Sequence, residues 1–263
     1  MIYLKNINVV FHPHTPLERK VLNNLTLKIS QRECITVIGS NGAGKSTLLR
    51  VITGDIFPSS GNIFINDQNV TKVPPEKRAL FVSQVFQDPR LGVCTDLSIE
   101  ENMALAAKRG KIRTLKMALN CFHRSQFREV LASLKLGLED RIKTPLGLLS
   151  GGQRQAIALL MAILSPLEIL VLDEHTAALD PKTSLSIIHL TQELITKKNL
   201  TVLMVTHSMH QALLMGNRTL MLHEGKIVLD LEGEERKKLN ETELLNIFKQ
   251  KIGNSTKGGD IFI

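Results

Sequence analysis

The chain has 263 residues, 43% of them hydrophobic, and a mean hydropathy of +0.04. These values fit a soluble globular protein of one large domain, or one domain with a subdomain. The net charge of +8 leaves nucleic acid, an anionic membrane surface or a nucleotide open as partners, but one tyrosine and no tryptophan give few stacking platforms. The cations are spread thinly, so the charge reads mainly as solvated surface, with membrane attraction second. Three cysteines, Cys34, Cys94 and Cys121, lack metal-ligand spacing and argue for a reducing compartment without a disulfide framework. The N-terminus has no signal-peptide layout. The longest apolar run, Ala156 to Leu164, is too short to span a bilayer.

Residues 2–11 place apolar side chains at Ile2, Leu4, Ile7, Val9 and Phe11, which predicts a strand. His12-Pro13-His14-Thr15-Pro16 follows as a turn. Its two histidines could ligate a metal, but a surface loop is the better reading because nothing nearby completes a site. Val21 to Ile29 alternates again and predicts a second strand. Cys34 to Ile38 is a short apolar run that reads as a buried strand, and Leu48 to Ile52 as the start of a helix. Gly54 ends that helix, and Ile63–Ile65 is a further short strand. Val73-Pro74-Pro75 reads as a loop. Leu80 to Phe86 is strand-like. From Ser98 the pattern is helical, and Ser98 with Glu101 has capping-box spacing. The segment from Ile99 to Leu138 predicts a helical subdomain inserted between two halves of an α/β core.

The helix from Arg154 to Leu164 is apolar nearly all round and should be buried. Ile169–Leu172 is a continuous apolar run suited to the middle of a parallel sheet. Ser184–Lys197 predicts an amphipathic helix, Thr201–Val205 a buried strand, Arg218–Leu222 with Ile227–Leu229 a closing hairpin, and Glu241–Lys251 a last helix. The Gly-, Ser- and Lys-rich residues 253–263 read as a flexible tail.

Between the buried strand and its helix lies Gly39-Ser40-Asn41-Gly42-Ala43-Gly44-Lys45-Ser46-Thr47. Strand, glycine-rich loop and helix are the context of a phosphate-binding loop. Glycines let the backbone approach an anion closely, while the loop N–H groups and the helix N-terminus point at phosphate oxygens. In such a loop Lys45 would reach the β- and γ-phosphates of a nucleotide, and the Ser46 hydroxyl would serve Mg²⁺. Polar residues at strand ends are where chemistry collects in a parallel α/β sheet. Here they are Gln87, Asp173 with Glu174, and His207. A strand ending in Asp is a usual partner of a phosphate loop, where it completes the Mg²⁺ shell. A second acid can orient a water for attack on the γ-phosphate.

Leu149-Ser150-Gly151-Gly152-Gln153 resembles the signature motif of ATP-binding cassette (ABC) ATPases. The order of motifs also resembles that family: phosphate loop, Gln loop at Val85–Pro89, signature, acidic strand at Ile169–Glu174, the stretch Ala177–Asp180, then His207. The likeness covers roughly residues 2–250. It implies an α/β P-loop NTPase core with a mostly parallel sheet, an N-terminal antiparallel β portion and an inserted α-helical subdomain. It further implies one ABC ATPase domain over 1–252, with the core at 1–87 and 166–252 and the insertion at about 88–165.

The resemblance carries roles to matching positions. The loop from Gly39 to Thr47, including Ser40, Asn41, Gly42, Ala43 and Gly44, holds ATP phosphates with Lys45. Ser46, Asp173 and Gln87 serve Mg²⁺. Glu174 is the general base, His207 contacts the γ-phosphate, and Gln87 links the site to the helical subdomain. Ser150, Gly151, Gly152 and Gln153 face the ATP of a second cassette, with Asp180 at the seam. Phe11 stands where family members stack an aromatic on adenine, with Tyr3 a poorer alternative. Two cassettes would pair head to tail as a homodimer or a pseudo-symmetric pair. Separate permease subunits would hold the pair on the cytoplasmic face of the membrane, with a solute-binding protein as a further partner and nucleic acid not expected.

The implied function is to power a transporter, an importer of a small solute such as an amino acid. The rivals are an exporter or lipid-extraction ATPase, and a soluble cassette acting on nucleic acid or ribosomes. Three departures stand out. His175 replaces the proline usual after the base, which either adds a titratable group beside Glu174 or is a plain substitution. Arg32 stands where many members have glycine. Gln84, three residues before Gln87, competes for the Gln-loop role, but the Phe86-Gln87-Asp88-Pro89 context favours Gln87.

Overall fold

The computed structural model describes residues 1–110 and 121–253. Of the tail expected at residues 253–263, Gly253 is the last residue of a helix and the rest lies outside the described residues, as does the centre of the expected helical insertion, residues 111–120. In chain order the elements are β1 (Ile2–Phe11), β2 (Arg19–Ile29), β3 (Cys34–Gly39), α1 (Lys45–Thr53), β4 (Ser60–Ile65), β5 (Gln68–Asn69) and α2 (Pro75–Arg78). There follow β6 (Val82–Val85), α3 (Ile99–Ala107), α4 (Cys121–Ala132), α5 (Gly151–Ala162), β7 (Ile169–Asp173) and α6 (Pro181–Lys198). The last are β8 (Val202–Val205), α7 (Met209–Met215), β9 (Arg218–His223), β10 (Lys226–Glu232), α8 (Gly233–Lys237) and α9 (Glu241–Gly253). They divide into two compact units, Met1–Arg78 together with the chain from Leu200 onward, and Ala79–Asn199.

The first unit holds two sheets. One is antiparallel, in the order β2-β1-β4-β5. Its apolar residues step by two along β1 except between Leu4 and Ile7, and along β2 except between Leu22 and Leu25. A step of three would turn the next side chain to solvent in a regular strand. The β1–β2 ladder shifts register between Leu4 and Ile7 and again between Ile7 and Val9. Asn6 and Asn24, at φ 53° and 49°, take up the extra residues as bulges. Asparagine enters the left-handed region more readily than other side chains. All eight apolar residues from Ile2 to Val9 and Leu22 to Ile29 on this face are thereby buried.

In the same unit β3 lies between β8 and β9 and parallel to both, pairing Ile35 with Leu203 and with Arg218. Every residue of β3 is buried, as its unbroken apolar run requires. The β9–β10 hairpin turns at Glu224 and Gly225, both left-handed. Arg32 is also left-handed, at φ 62°, and its N–H donates to Thr201 Oγ1 at 2.9 Å. The turn before β3 therefore keeps the conformation that a glycine takes without strain, although arginine occupies it.

The second unit pairs β6 and β7 in parallel, Val82 with Ile169 through Val85 with Leu172. Helix α5 packs against α3, α6 and β6, and its apolar circumference is buried as its composition demands. The Ser98–Glu101 capping box is present in both directions at the start of α3. At the far end of α5, Arg109 donates to the Ala162 carbonyl at 2.8 Å and the Ser165 carbonyl at 3.0 Å, and also to Ser83 on β6. A guanidinium there satisfies carbonyls that the last turn of a helix leaves open.

Three short helices depart from the sequence reading. Helix α2 begins at Pro75, inside a stretch expected to be a loop, because proline at the first helical position gives up no hydrogen bond. Helices α7 and α8 are too short to show a period. Arg78, the last residue of α2, is fully buried. It donates to the carbonyls of Val51 at 2.7 Å and Ile52 at 3.2 Å at the end of α1, and to Val70, Thr71 and Val73. Burial pushes its pKa down to about 10, which leaves it charged at neutral pH. Arg78→Leu should strand these carbonyls and lower stability by about 3 kcal/mol, read as a lower urea midpoint with unchanged slope.

Candidate functional site

In the first unit the site begins where β3 ends. Gly39, Gly42 and Gly44 have φ of 158°, 78° and 103°. At Gly44 a side chain is excluded twice, by its left-handed backbone and by space. A Cβ there would stand 2.8 Å from the Val21 carbonyl oxygen and 2.9 Å from Leu22 Cδ2. At Gly39 a Cβ would stand 2.3 Å from the Leu222 carbonyl oxygen. The loop turns through Ala43 N–H to Ser40 O at 3.2 Å and enters α1, whose first full bond runs from Leu48 N–H to Gly44 O at 2.8 Å.

Lys45 is 6% exposed, and its Nζ donates to Gly39 O at 2.8 Å and Ser40 O at 3.0 Å. The lysine thus curls back over its own loop. Helix α1 has no acid in its first turn, so its N-terminus keeps its positive partial charge. Ser46 is exposed on that turn. Gly225 N–H supports the loop from outside by donating to Ala43 O at 3.0 Å.

His207 follows β8 and is exposed, while the neighbouring Thr206 hydroxyl donates to Gln211 Oε1 at 2.8 Å. Phe11 is the last residue of β1, partly buried and opposite Arg19 in the ladder. Tyr3 lies at the other end of β1 and stacks on Phe64, ring centroids 6.4 Å apart. Arg19 was not read from the sequence. It lies outside every motif, and only the fold brings it near the loop.

The second unit carries the remaining candidates. Gln84 lies within β6, paired with Val171, whereas Gln87 is exposed just past the strand. Gln155 Nε2 donates to Phe86 O at 3.2 Å and ties this segment to α5. Asp88 accepts from Arg90 at 2.8 to 3.1 Å, which holds its carboxyl below the usual range. Asp173 is the last residue of β7, and Glu174 follows at φ 44°. That left-handed residue turns the chain, and Ala177 N–H closes the turn on Glu174 O at 2.9 Å.

Ser150 caps α5, accepting from Gln153 N–H at 3.2 Å, while Gln153 Oε1 accepts from Ser150 N–H at 3.1 Å. Gly152 has no room for a side chain, since a Cβ would stand 2.2 Å from Thr183 Cγ2. Asp180 caps α6 through Thr183 N–H at 3.1 Å, which lowers its pKa. An open cleft of about 490 Å³ is lined by Phe86, Gln87, Gly151, Arg154, Asp173 and Leu179, among others.

His175 is 1% exposed. Its Nε2 lies 3.1 Å from Thr191 Oγ1, and that hydroxyl donates to Ile187 O at 2.7 Å. The hydroxyl proton being committed, Nε2 carries the proton of the pair and Nδ1 is left without a partner. Burial pushes the pKa down from 6.5 to about 4. His175 is therefore a neutral buried group at physiological pH rather than a titrating neighbour of Glu174.

A glycine cradle between a buried strand and a helix, with a buried lysine over it, defines a P-loop NTPase. A family model described as ABC transporter matches residues 22–177. The chain is 41% identical over 253 residues to the tyrosine transport ATP-binding protein of Clostridioides difficile (strain R20291), covering 96% of this chain and 100% of that protein. It is 33% identical over 227 residues to the thiamine import ATP-binding protein ThiQ of Salmonella choleraesuis (strain SC-B67), covering 86% of this chain and 88% of that one. Among solved structures it resembles a dimeric ATP-binding cassette in a post-hydrolysis state bound to ADP and Pi. That likeness has a TM-score of 0.74 and 26% identity over 88% of this chain and 98% of the other. The chain belongs to the ABC transporter family and is an ATPase that powers transport. No helix among the described residues is long and apolar enough to cross a membrane.

The state of His175 sets a pH dependence. Unfolded histidine takes a proton near pH 6.5, the folded one only near pH 4. Acidification through that window therefore favours the unfolded chain, by roughly 3 kcal/mol in all. Urea midpoints should fall as pH drops from 6.5 to 4, and His175→Gln should flatten that fall. An equal slope in both proteins would mean that His175 is protonated in the folded state.

Proposed function

We propose that this ATPase drives an importer for a small solute of the amino-acid type. The ATP-binding part of this reading rests above all on the glycine cradle. Gly39 and Gly44 leave no space for side chains, Lys45 is buried over the loop, and no acid opens α1, so the site is built for a polyanion. Lys45 leaves its two carbonyls for the β- and γ-phosphates of ATP, and the loop amides hold the chain of phosphates. Glu174 accepts a proton from the attacking water as its oxygen bonds to the γ-phosphorus and the bond to ADP breaks. His207 holds the γ-phosphate, and Phe11 supports the adenine. Ser46, Asp173 and Gln87 offer hard oxygen donors of the kind Mg²⁺ takes. The ion would neutralise charge on the transferred phosphoryl group.

The signature residues Ser150, Gly151, Gly152 and Gln153, with Asp180, serve the ATP of a partner cassette in a head-to-tail dimer. The dimeric state of the solved relative supports this pairing. The permease subunits take the Gln-loop side of the second unit, where Leu91 is 70% exposed beside the open cleft. The cassette then sits on the cytoplasmic face of the membrane through that contact. The amino-acid reading leans on the tyrosine transport relative, alike over its whole length.

Glu174→Gln should bind ATP, lose turnover at least about a hundredfold and accumulate as a dimer under saturating Mg-ATP. A monomer by light scattering would overturn the head-to-tail model. Lys45→Ala should lose ATP affinity, and unchanged binding would overturn the phosphate-loop assignment. Tagged protein purified from its own cells in mild detergent should bring down a polytopic membrane protein in near-equal amount. Ribosomal proteins without a membrane partner would overturn the transporter reading for this chain.

A further inference from the structure

Strand β2 runs alongside the phosphate loop and is pinned there by backbone. Gly44 and Gly225 approach Val21 so closely that a Cβ at either would stand 2.8 Å and 2.3 Å from its carbonyl oxygen. Asn23 N–H donates to Gly225 O at 3.0 Å, and Leu22 is fully buried. Arg19 begins this strand, two residues before Val21, so its backbone position is set by the same packing. From there its guanidinium reaches the middle of the loop, where Nη2 stands 3.1 Å from the place a Cβ on Gly42 would take. Across the ladder Arg19 faces Phe11, the residue assigned to adenine.

Among the described residues no ion pair or side-chain hydrogen bond engages Arg19, which is exposed. Its neighbour Glu18 is turned away, accepting from His14 N–H at 2.7 Å. A guanidinium unpaired among the described residues thus lies against a loop that already carries the Lys45 ammonium and a positive helix N-terminus. Like charges gathered this way repel one another, and an arriving polyanion relieves the repulsion. Arginine also presents a planar fork of donors that matches phosphate oxygens.

We propose that Arg19 is a nucleotide-binding residue that contacts the phosphate chain of ATP from the β2 side of the loop. It supplies a second side-chain cation beside Lys45, from outside the sequence motifs. This inference rests on the ATPase reading of the loop and adds a residue to it.

The test measures binding of ATP and of inorganic tripolyphosphate to the full chain, each by displacement of a fluorescent ATP analogue. Tripolyphosphate has the phosphate chain without the nucleoside. Arg19→Gln should weaken both ligands by about tenfold, and Arg19→Lys should recover part of the loss. The thermal midpoint of the Arg19→Gln protein without ligand should match wild type, since the side chain is exposed. Arg19→Gln binding both ligands as wild type does would overturn the inference. So would a loss for ATP with none for tripolyphosphate, because the contact would then be to the ribose or base. Lys45→Ala separates the two readings. If wild type and Lys45→Ala bind ATP equally, the loop assignment fails and this inference with it. If only Arg19→Gln is indistinguishable from wild type, the loop assignment stands and Arg19 alone is excluded.

Discussion

The constraint on which the first unit depends is close approach of backbone to backbone around one loop. At Gly39, Gly44 and Gly225 the space that a Cβ would need is taken by the carbonyls of Leu222 and Val21. Three segments distant in sequence, the phosphate loop, β2 and the β9–β10 turn, therefore meet with nothing between them. Such contact cannot be had with side chains in the way. It also stiffens the loop without filling it, so the amide groups remain available. An anion site made of amides needs this, because the donors must be aimed before the ligand arrives if binding is not to pay for ordering them.

The same packing explains why the antiparallel sheet belongs to the site. A strand that lies against the loop brings its side chains with it, and β2 brings Arg19. The bulges at Asn6 and Asn24 matter here. Without them every residue of β1 and β2 beyond the bulge would point to the opposite face, and a further register shift between Val9 and Val10 sets Phe11 across from Arg19. A local backbone feature at one end of the sheet thus fixes which side chains its other end presents.

Much of this was legible in the residues. The buried strands β3, β7 and β8 announced themselves as short apolar runs, α5 as a helix apolar on all sides, and α3 by its capping box. The phosphate loop, the acidic strand end and the serine-capped signature helix were legible because each depends on residue types at fixed spacing. What was not legible depends on contacts distant in sequence. Arg19 has no motif, and its place beside Gly42 exists only after β2 has packed on the loop. Arg78 stands in a short charged run, yet it is buried among carbonyls from two segments, the end of α1 and residues 70–73. Helices α2, α7 and α8 are too short for periodicity to reveal. Between Gln84 and Gln87 the Phe-Gln-Asp-Pro context favoured Gln87, and the fold puts Gln84 inside the ladder and Gln87 beyond it.

His175 shows how burial changes the meaning of a residue type. As a letter beside a proposed base it suggests a second proton carrier. In the fold its ring is enclosed, keeps one proton on Nε2 for Thr191 and holds no charge near neutral pH. What it offers Glu174 is mechanical. Glu174 is left-handed, a conformation that costs a non-glycine residue on the order of 1 kcal/mol, and something must hold the turn. The next residue does so by anchoring to α6 through Thr191. A proline there would restrict the turn through its ring and through the conformations left to the residue before it. A buried, hydrogen-bonded histidine reaches a similar end by packing, without adding a charge beside the preceding glutamate.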